Sequence, residues 1–164
     1  MSKAQSIHQE AVVIDGHCDT ILSVMTRGSW FGVPPRDFFE RNEQGHIDLP
    51  RLKEGGITCQ VMALYIEPQY KPAASARRCL EMLDAFYDLL DRSGGEFVLA
   101  TKAQHILDAK AQAKVAGLLS IEGGEAIEGS LSVLRNFYRL GVRAMGLTWN
   151  QRNDLADGVG EKSG

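Results

Sequence analysis

Ala11-Val12-Val13-Ile14-Asp15-Gly16-His17-Cys18-Asp19 is an apolar run that ends on a histidine and an aspartate two positions apart. Its β-branched composition reads as a buried strand over residues 11 to 18. In a strand, side chains at i and i+2 share a face and stand about 6.6 Å apart along the chain. An imidazole from His17 and a carboxylate from Asp19 can therefore converge on one ion, about 2 Å from each, while Cys18 faces away. Such residues at a strand end can also simply cap the following loop. A second acidic strand end shifts the balance toward metal: Val115-Ala116-Gly117-Leu118-Leu119-Ser120-Ile121 is another apolar run, closed by Glu122 and then Gly123-Gly124. The pattern points to a metal-dependent hydrolase.

Working outward from these two strands, the chain alternates. Residues 25 to 42, with Gly28, Gly32, Pro34 and Pro35, read as a long loop, and a long loop after a strand is often functional. Ile47 to Glu54 reads as a short helix with Asp48 as its cap, Pro50 in its first turn and Gly55-Gly56 after its end. Ile57 to Ile66 returns to strand composition. Ala74, Leu80, Leu83, Phe86, Tyr87 and Leu90 recur at helical spacing across residues 73 to 93, which stop at Ser93-Gly94-Gly95. A strand is expected over Phe97 to Ala100 and a helix over Lys102 to Gln112, with Thr101 as its N-cap. After the strand at Val115 come a helix over Leu131 to Leu140 and a strand over Val142 to Trp149.

Buried strands alternating with helices mean a parallel sheet. Two architectures follow, an open doubly wound sheet and a (β/α)8 barrel, and both place chemistry at the carboxyl ends of strands. Ligands from distant strands converge more easily across a barrel mouth, so the TIM-type barrel is expected. A complete barrel takes about 250 residues, and residues 1 to 164 read as the N-terminal part of one such domain, about its first half. No glycine-rich phosphate motif follows any strand, and Glu122-Gly123-Gly124-Glu125 is too acidic to cradle phosphate.

Composition narrows the function classes. With a formal charge of −3 over 164 residues, the chain lacks the basic stripe of a nucleic-acid binder. The first ten residues carry no secretory core and no stretch is long and apolar enough to span a membrane, so no membrane partner and a cytoplasmic location are expected. Three cysteines without a CxxC pair suit a reducing compartment. Cys18 reads as a small half-buried thiol rather than a nucleophile. His8 and His105 fall in helices and His46 in a polar turn, and all three read as surface histidines. Asp15 and Asp157 fit either ligand-orienting groups or loop caps. Tyr65, at the end of the second strand, faces either the pocket or the core.

Asp15-Gly16-His17-Cys18-Asp19-Thr20, Ile47-Asp48-Leu49-Pro50-Arg51-Leu52, Ile121-Glu122-Gly123-Gly124, and Leu147-Thr148-Trp149-Asn150 with Asn153 and Ala156-Asp157-Gly158 occur in this order. Together they resemble the membrane (renal) dipeptidase family. The resemblance implies an amidohydrolase-type barrel with two zinc ions, in which His17 and Asp19 bind one ion and Glu122 bridges both and acts as the catalytic carboxylate. It implies a water activated between the ions and a dipeptide substrate, with a D-residue on its C-terminal side compatible with that class. Two histidines and a late aspartate of the family pattern have no matching positions in this chain, so the C-terminal half of the same barrel is the implied partner, and a homodimer is compatible. Where mammalian-type members carry a substrate-contacting histidine this sequence has Trp149; Trp149, Asn150 and Tyr65 are the candidate substrate-binding residues. Two other readings stand beside this one. A cyclic-amide hydrolase or deaminase shares the HxD logic but commonly uses HxH, and a non-catalytic half-barrel would leave strand edges that seek partners.

Overall fold

The computed structural model describes residues 2–25 and 34–162. The middle of the loop expected over residues 25 to 42, including Gly28 and Gly32, lies outside the described residues. Five parallel strands form one sheet: β1 (Ile14–Cys18), β2 (Cys59–Tyr65), β3 (Phe97–Leu99), β4 (Val115–Glu122) and β5 (Val142–Met145). The helices are α1 (Lys3–Glu10), α2 (Thr20–Val24), α3 (Leu49–Glu54), α4 (Ser75–Arg92), α5 (Ala103–Ala111) and α6 (Leu131–Arg139). Short 3-10 turns at Pro68–Tyr70 and Gly124–Ile127 follow β2 and β4. Among the described residues no helix is long and apolar enough to cross a membrane.

Strands and helices alternate along the chain as expected, and the sheet order is β1-β2-β4-β3 with β5 also on β4. β3 is not a stave between β2 and β4. It pairs with the first residues of β4, Val115 to Gly117, on the edge where β5 pairs further along, Leu119 to Ile121. The continuous staves are therefore β1, β2, β4 and β5. Handedness explains the rest. The step from β2 to β3 and the step back from β3 to β4 run in opposite directions across the sheet, so right-handed crossovers must put their helices on opposite faces. α4 supplies Cys79, Met82, Leu83, Phe86 and Leu89 to the larger core, each large side chain worth about 1.5–3 kcal/mol of burial. α5 instead packs Ile106 and Ala109 against Cys59 and Ala116 in a separate small core on the other face.

Local sequence explains most boundaries. Asp48 caps α3 by accepting from the Arg51 N–H at 2.9 Å, with Pro50 in the first turn. Burial alone would weaken the Asp48 acid, but the Asn42 and Arg51 N–H groups and the Arg51 guanidinium hold its carboxyl below the usual carboxylate range. Thr101 is not the cap of α5: the N-cap is Lys102, and the Thr101 N–H donates to His105 Nδ1 at 3.3 Å. β5 ends at Met145 rather than at Trp149, because the chain turns after Gly146 to meet the end of β4. Arg78, buried on α4, reaches back to Glu67 at 2.5 and 2.9 Å and lies over the Tyr70 ring, which fixes the loop after β2 to the helix.

Candidate metal centre

All the staves point the same way, so their carboxyl ends share one rim. β1 brings His17 to it through an irregularity. Its register with β2 slips between Asp15 and Cys18, one extra residue on the β1 side. Asp15 Oδ1 accepts the His17 N–H at 3.1 Å and secures this bulge. Asp15 is thus a backbone brace, one of the two roles open to it. Asp157 pairs with Arg152 in the turn after β5, again a local brace. Cys18 faces away from the rim, its Sγ against Met62 Sδ at 3.4 Å, and burial pushes its thiol up to about 11.

Asp19 lies one residue beyond β1, at the N-cap position of α2, yet its side chain makes no capping bond. The convergence with His17 thus comes from the bulge and the strand-to-helix turn, not from ideal strand alternation. Asp19 Oδ2 lies 3.5 Å from His17 Nε2, and Glu122 Oε2 lies 3.5 Å from the same nitrogen. Ligand atoms of all three residues fall within 4.8 Å of one another. Donors about 2 Å from a tetrahedral ion stand about 3.3 Å apart, so the separations suit an ion with little movement.

Electrostatics support the same fit. Glu122 Oε2 is buried without a hydrogen-bond partner, an expensive state for a carboxylate oxygen unless a cation completes it. Burial raises the Glu122 acid above its usual range, the neighbouring Asp19 carboxylate adds to this, and His17 and Lys71 oppose it. Two backbone bonds bracket the residue: Gly146 N–H donates to Ile121 O at 2.9 Å and Gly124 N–H to Leu147 O at 3.0 Å. Gly123 between them has φ +89°, a conformation that favours glycine.

The other expected residues divide. Tyr65 is paired in register with Glu122 and so shares its face, but it is 2% exposed and largely core. Its ring meets Trp149 edge to face at 4.9 Å, and burial, with the fields of Glu122 and Glu125, pushes its phenol pKa up. Trp149 itself remains exposed, at 37%. Asn150 is exposed, and its carbonyl accepts from Gly160 N–H at 2.8 Å, so its placement is that of a turn. Sequence reasoning missed Lys71, which bonds Glu125 Oε1 at 2.7 Å while lying 5.3 Å from the Tyr65 ring centre. Glu125, three residues after Glu122, was the available signal. His8 and His105 lie in α1 and α5, and His46 is exposed in a turn.

Parallel staves whose carboxyl ends gather a histidine and two carboxylates define an α/β-barrel chain with a candidate metal centre. Comparison with known proteins narrows this. The chain belongs to the membrane dipeptidase family, Peptidase family M19, which matches residues 1–164. It is 31% identical to human Dipeptidase 3 over 147 residues, covering 90% of this chain and 29% of that protein. It is 29% identical to dipeptidase verJ of Clonostachys rogersoniana over 171 residues, covering 96% and 42%. Among solved structures, a Rhodobacter sphaeroides metallo peptidase liganded with a phosphinate mimic of the dipeptide L-Ala-D-Ala superposes with TM-score 0.69 at 23% identity, covering 86% of this chain and 46% of that one. The Pseudomonas aeruginosa protein named "probable dipeptidase PvdM" superposes with TM-score 0.77 at 18% identity, covering 94% and 38%. The fold is that of a TIM-type barrel, of which this chain supplies less than half the length of its solved relatives.

Proposed function

We propose that this chain carries the N-terminal part of a binuclear zinc dipeptidase site, with His17, Asp19 and Glu122 as ligands. The observation that carries the reading is the unpartnered Glu122 Oε2, 3.5 Å from His17 Nε2 beside an uncapped Asp19. His17 and Asp19 would hold one ion and Glu122 would span to a second, whose remaining ligands come from the C-terminal half of the same barrel. Divalent ions held by these residues would supply Lewis acidity toward a peptide carbonyl and a water.

The chain's own groups do the rest. Burial, and then the Asp19 carboxylate, raise the Glu122 acid above its usual range, and a cation held between the two carboxylates would offset both effects. The two backbone bonds on either side of Glu122 fix the main chain from which its carboxylate projects. Trp149, braced by Tyr65, offers an apolar edge for a substrate side chain, and Asn150 would contribute from the adjacent turn. A dipeptide substrate is supported by the family and by the dipeptide mimic bound to the Rhodobacter relative. Among the described residues β1 pairs only with β2, and Ile14 on it is exposed, so its other edge suits a further stave as partner. A homodimer is a separate proposal, tested by sedimentation.

The test is alanine release from L-Ala-L-Ala and L-Ala-D-Ala by the purified complete protein, with the C-terminal half of its barrel, before chelation, after it, and after zinc is returned. Hydrolysis lost and restored with zinc supports the reading. Hydrolysis indifferent to chelation, or absent from fully zinc-loaded protein, overturns it.

A further inference from the structure

The loops after β2, β4 and β5 enclose a second space beside the metal centre, a cavity of about 740 Å³. Four carboxylates line it, Glu125, Glu128, Asp154 and Glu161, against two cations, Lys71 and Arg152. Both cations are already engaged, Lys71 with Glu125 and Arg152 with Asp157. Acceptors, by contrast, are in surplus. Ser75, only 1% exposed, has an Oγ with no hydrogen-bond partner, and Glu125, with a side chain 6% exposed, has an equally unpartnered Oε2. Glu128 uses one oxygen on the Ala76 N–H and Glu161 one on the Arg152 N–H. Among the described residues Asp154 takes part in no ion pair.

A buried acceptor left alone is costly, and a net negative wall attracts a cation. A metal ion is the poorer candidate: among the described residues, His17, Asp19 and Glu122 are the one group of three or more metal-binding side chains brought within range of a shared ion. An ammonium group has the needed chemistry, three donors and one charge. We propose that this cavity binds the primary ammonium of a small molecule, such as the amino end of an amino acid or dipeptide, or a polyamine. The site is distinct from the metal centre, so the proposal holds whether or not the dipeptidase reading does.

The test is calorimetric titration of purified, chelator-treated protein with L-alaninamide, with putrescine and with acetate. Saturable binding of an amine at one site is expected, weakened about 5-fold, the worth of one hydrogen bond, in Ser75→Ala and in Asp154→Asn. Asp154 is exposed, so its variant carries the test if the buried serine variant fails to fold. Tighter L-alaninamide identifies an amino-acid or peptide amine and tighter putrescine a polyamine; both support the site. Absence of saturable amine binding, acetate bound as well as the amines, or amine affinity unchanged in the folded variants overturns it.

Discussion

Replacing Glu122 by Gln should move the metal-free and zinc-loaded proteins in opposite directions. The substitution keeps shape and removes one charge. In the metal-free protein that charge lies within 4.8 Å of Asp19, whose side chain is 41% exposed. Coulomb repulsion at that separation is about 3.5 kcal/mol at an effective dielectric of about 20, and solvent around Asp19 reduces it to about 1 kcal/mol. Glu122→Gln should therefore leave metal-free stability unchanged or raise it by up to about 1 kcal/mol, about 2–4 °C for a domain of this size. Zinc at about 100 times its dissociation constant stabilises the parent by about 2.7 kcal/mol. Loss of an anionic ligand should weaken binding by at least about 100-fold, the upper end of what even indirect supports of a metal site cost. The same zinc concentration then stabilises the variant by only about 0.4 kcal/mol. Scanning calorimetry with chelator and with zinc reads both numbers. A variant less stable than the parent without metal, yet stabilised fully by zinc, would refute Glu122 as a ligand and make it a structural carboxylate.

Three further outcomes follow from the fold. Asp48→Ala removes the acceptor of bonds from the Asn42 and Arg51 N–H groups and the Arg51 guanidinium, and should cost about 2–4 kcal/mol in urea unfolding at neutral pH. Because the folded acid is held below its unfolded value of about 3.9, this stabilisation is present above that pH and fades as pH falls through the folded pKa, so parent and variant should approach each other in acid. Gly117→Ala would place a Cβ 2.5 Å from Phe97 and 2.7 Å from Phe86, and should cost about 1–3 kcal/mol by overpacking without changing zinc affinity. Burial pushes Cys18 and Cys59 up to about 11 and Cys79 to about 12, so native thiols should react slowly with alkylating reagents at pH 8 and quickly in urea; Cys18→Ser should retain hydrolysis.

The strand ends that carry His17 and Glu122 were legible because burial and function meet there: an apolar run must stop where the sheet reaches its rim, and the residue that stops it is exposed to the site. Asp48 was legible because a helix cap is a local device. β3 was legible as a strand, but its place on the far edge of β4 was not, because pairing partners are set by crossover handedness and packing, which leave no periodic trace in three residues. Thr101 failed as a cap because the helix starts one residue later than expected, which puts Lys102 at the N-cap position and Thr101 before it. α2 went unread, since five residues carry too little periodicity. Lys71 stayed hidden because its partners, Tyr65 and Glu125, are brought to it by tertiary structure alone.

Metal content per polypeptide, measured by plasma mass spectrometry on zinc-loaded, desalted protein beside its Glu122→Gln variant, tests the ligand assignment most directly. The account predicts close to two ions per chain of the complete protein, and at most one in the variant. Equal occupancy in both, or a parent that retains no zinc, would contradict it.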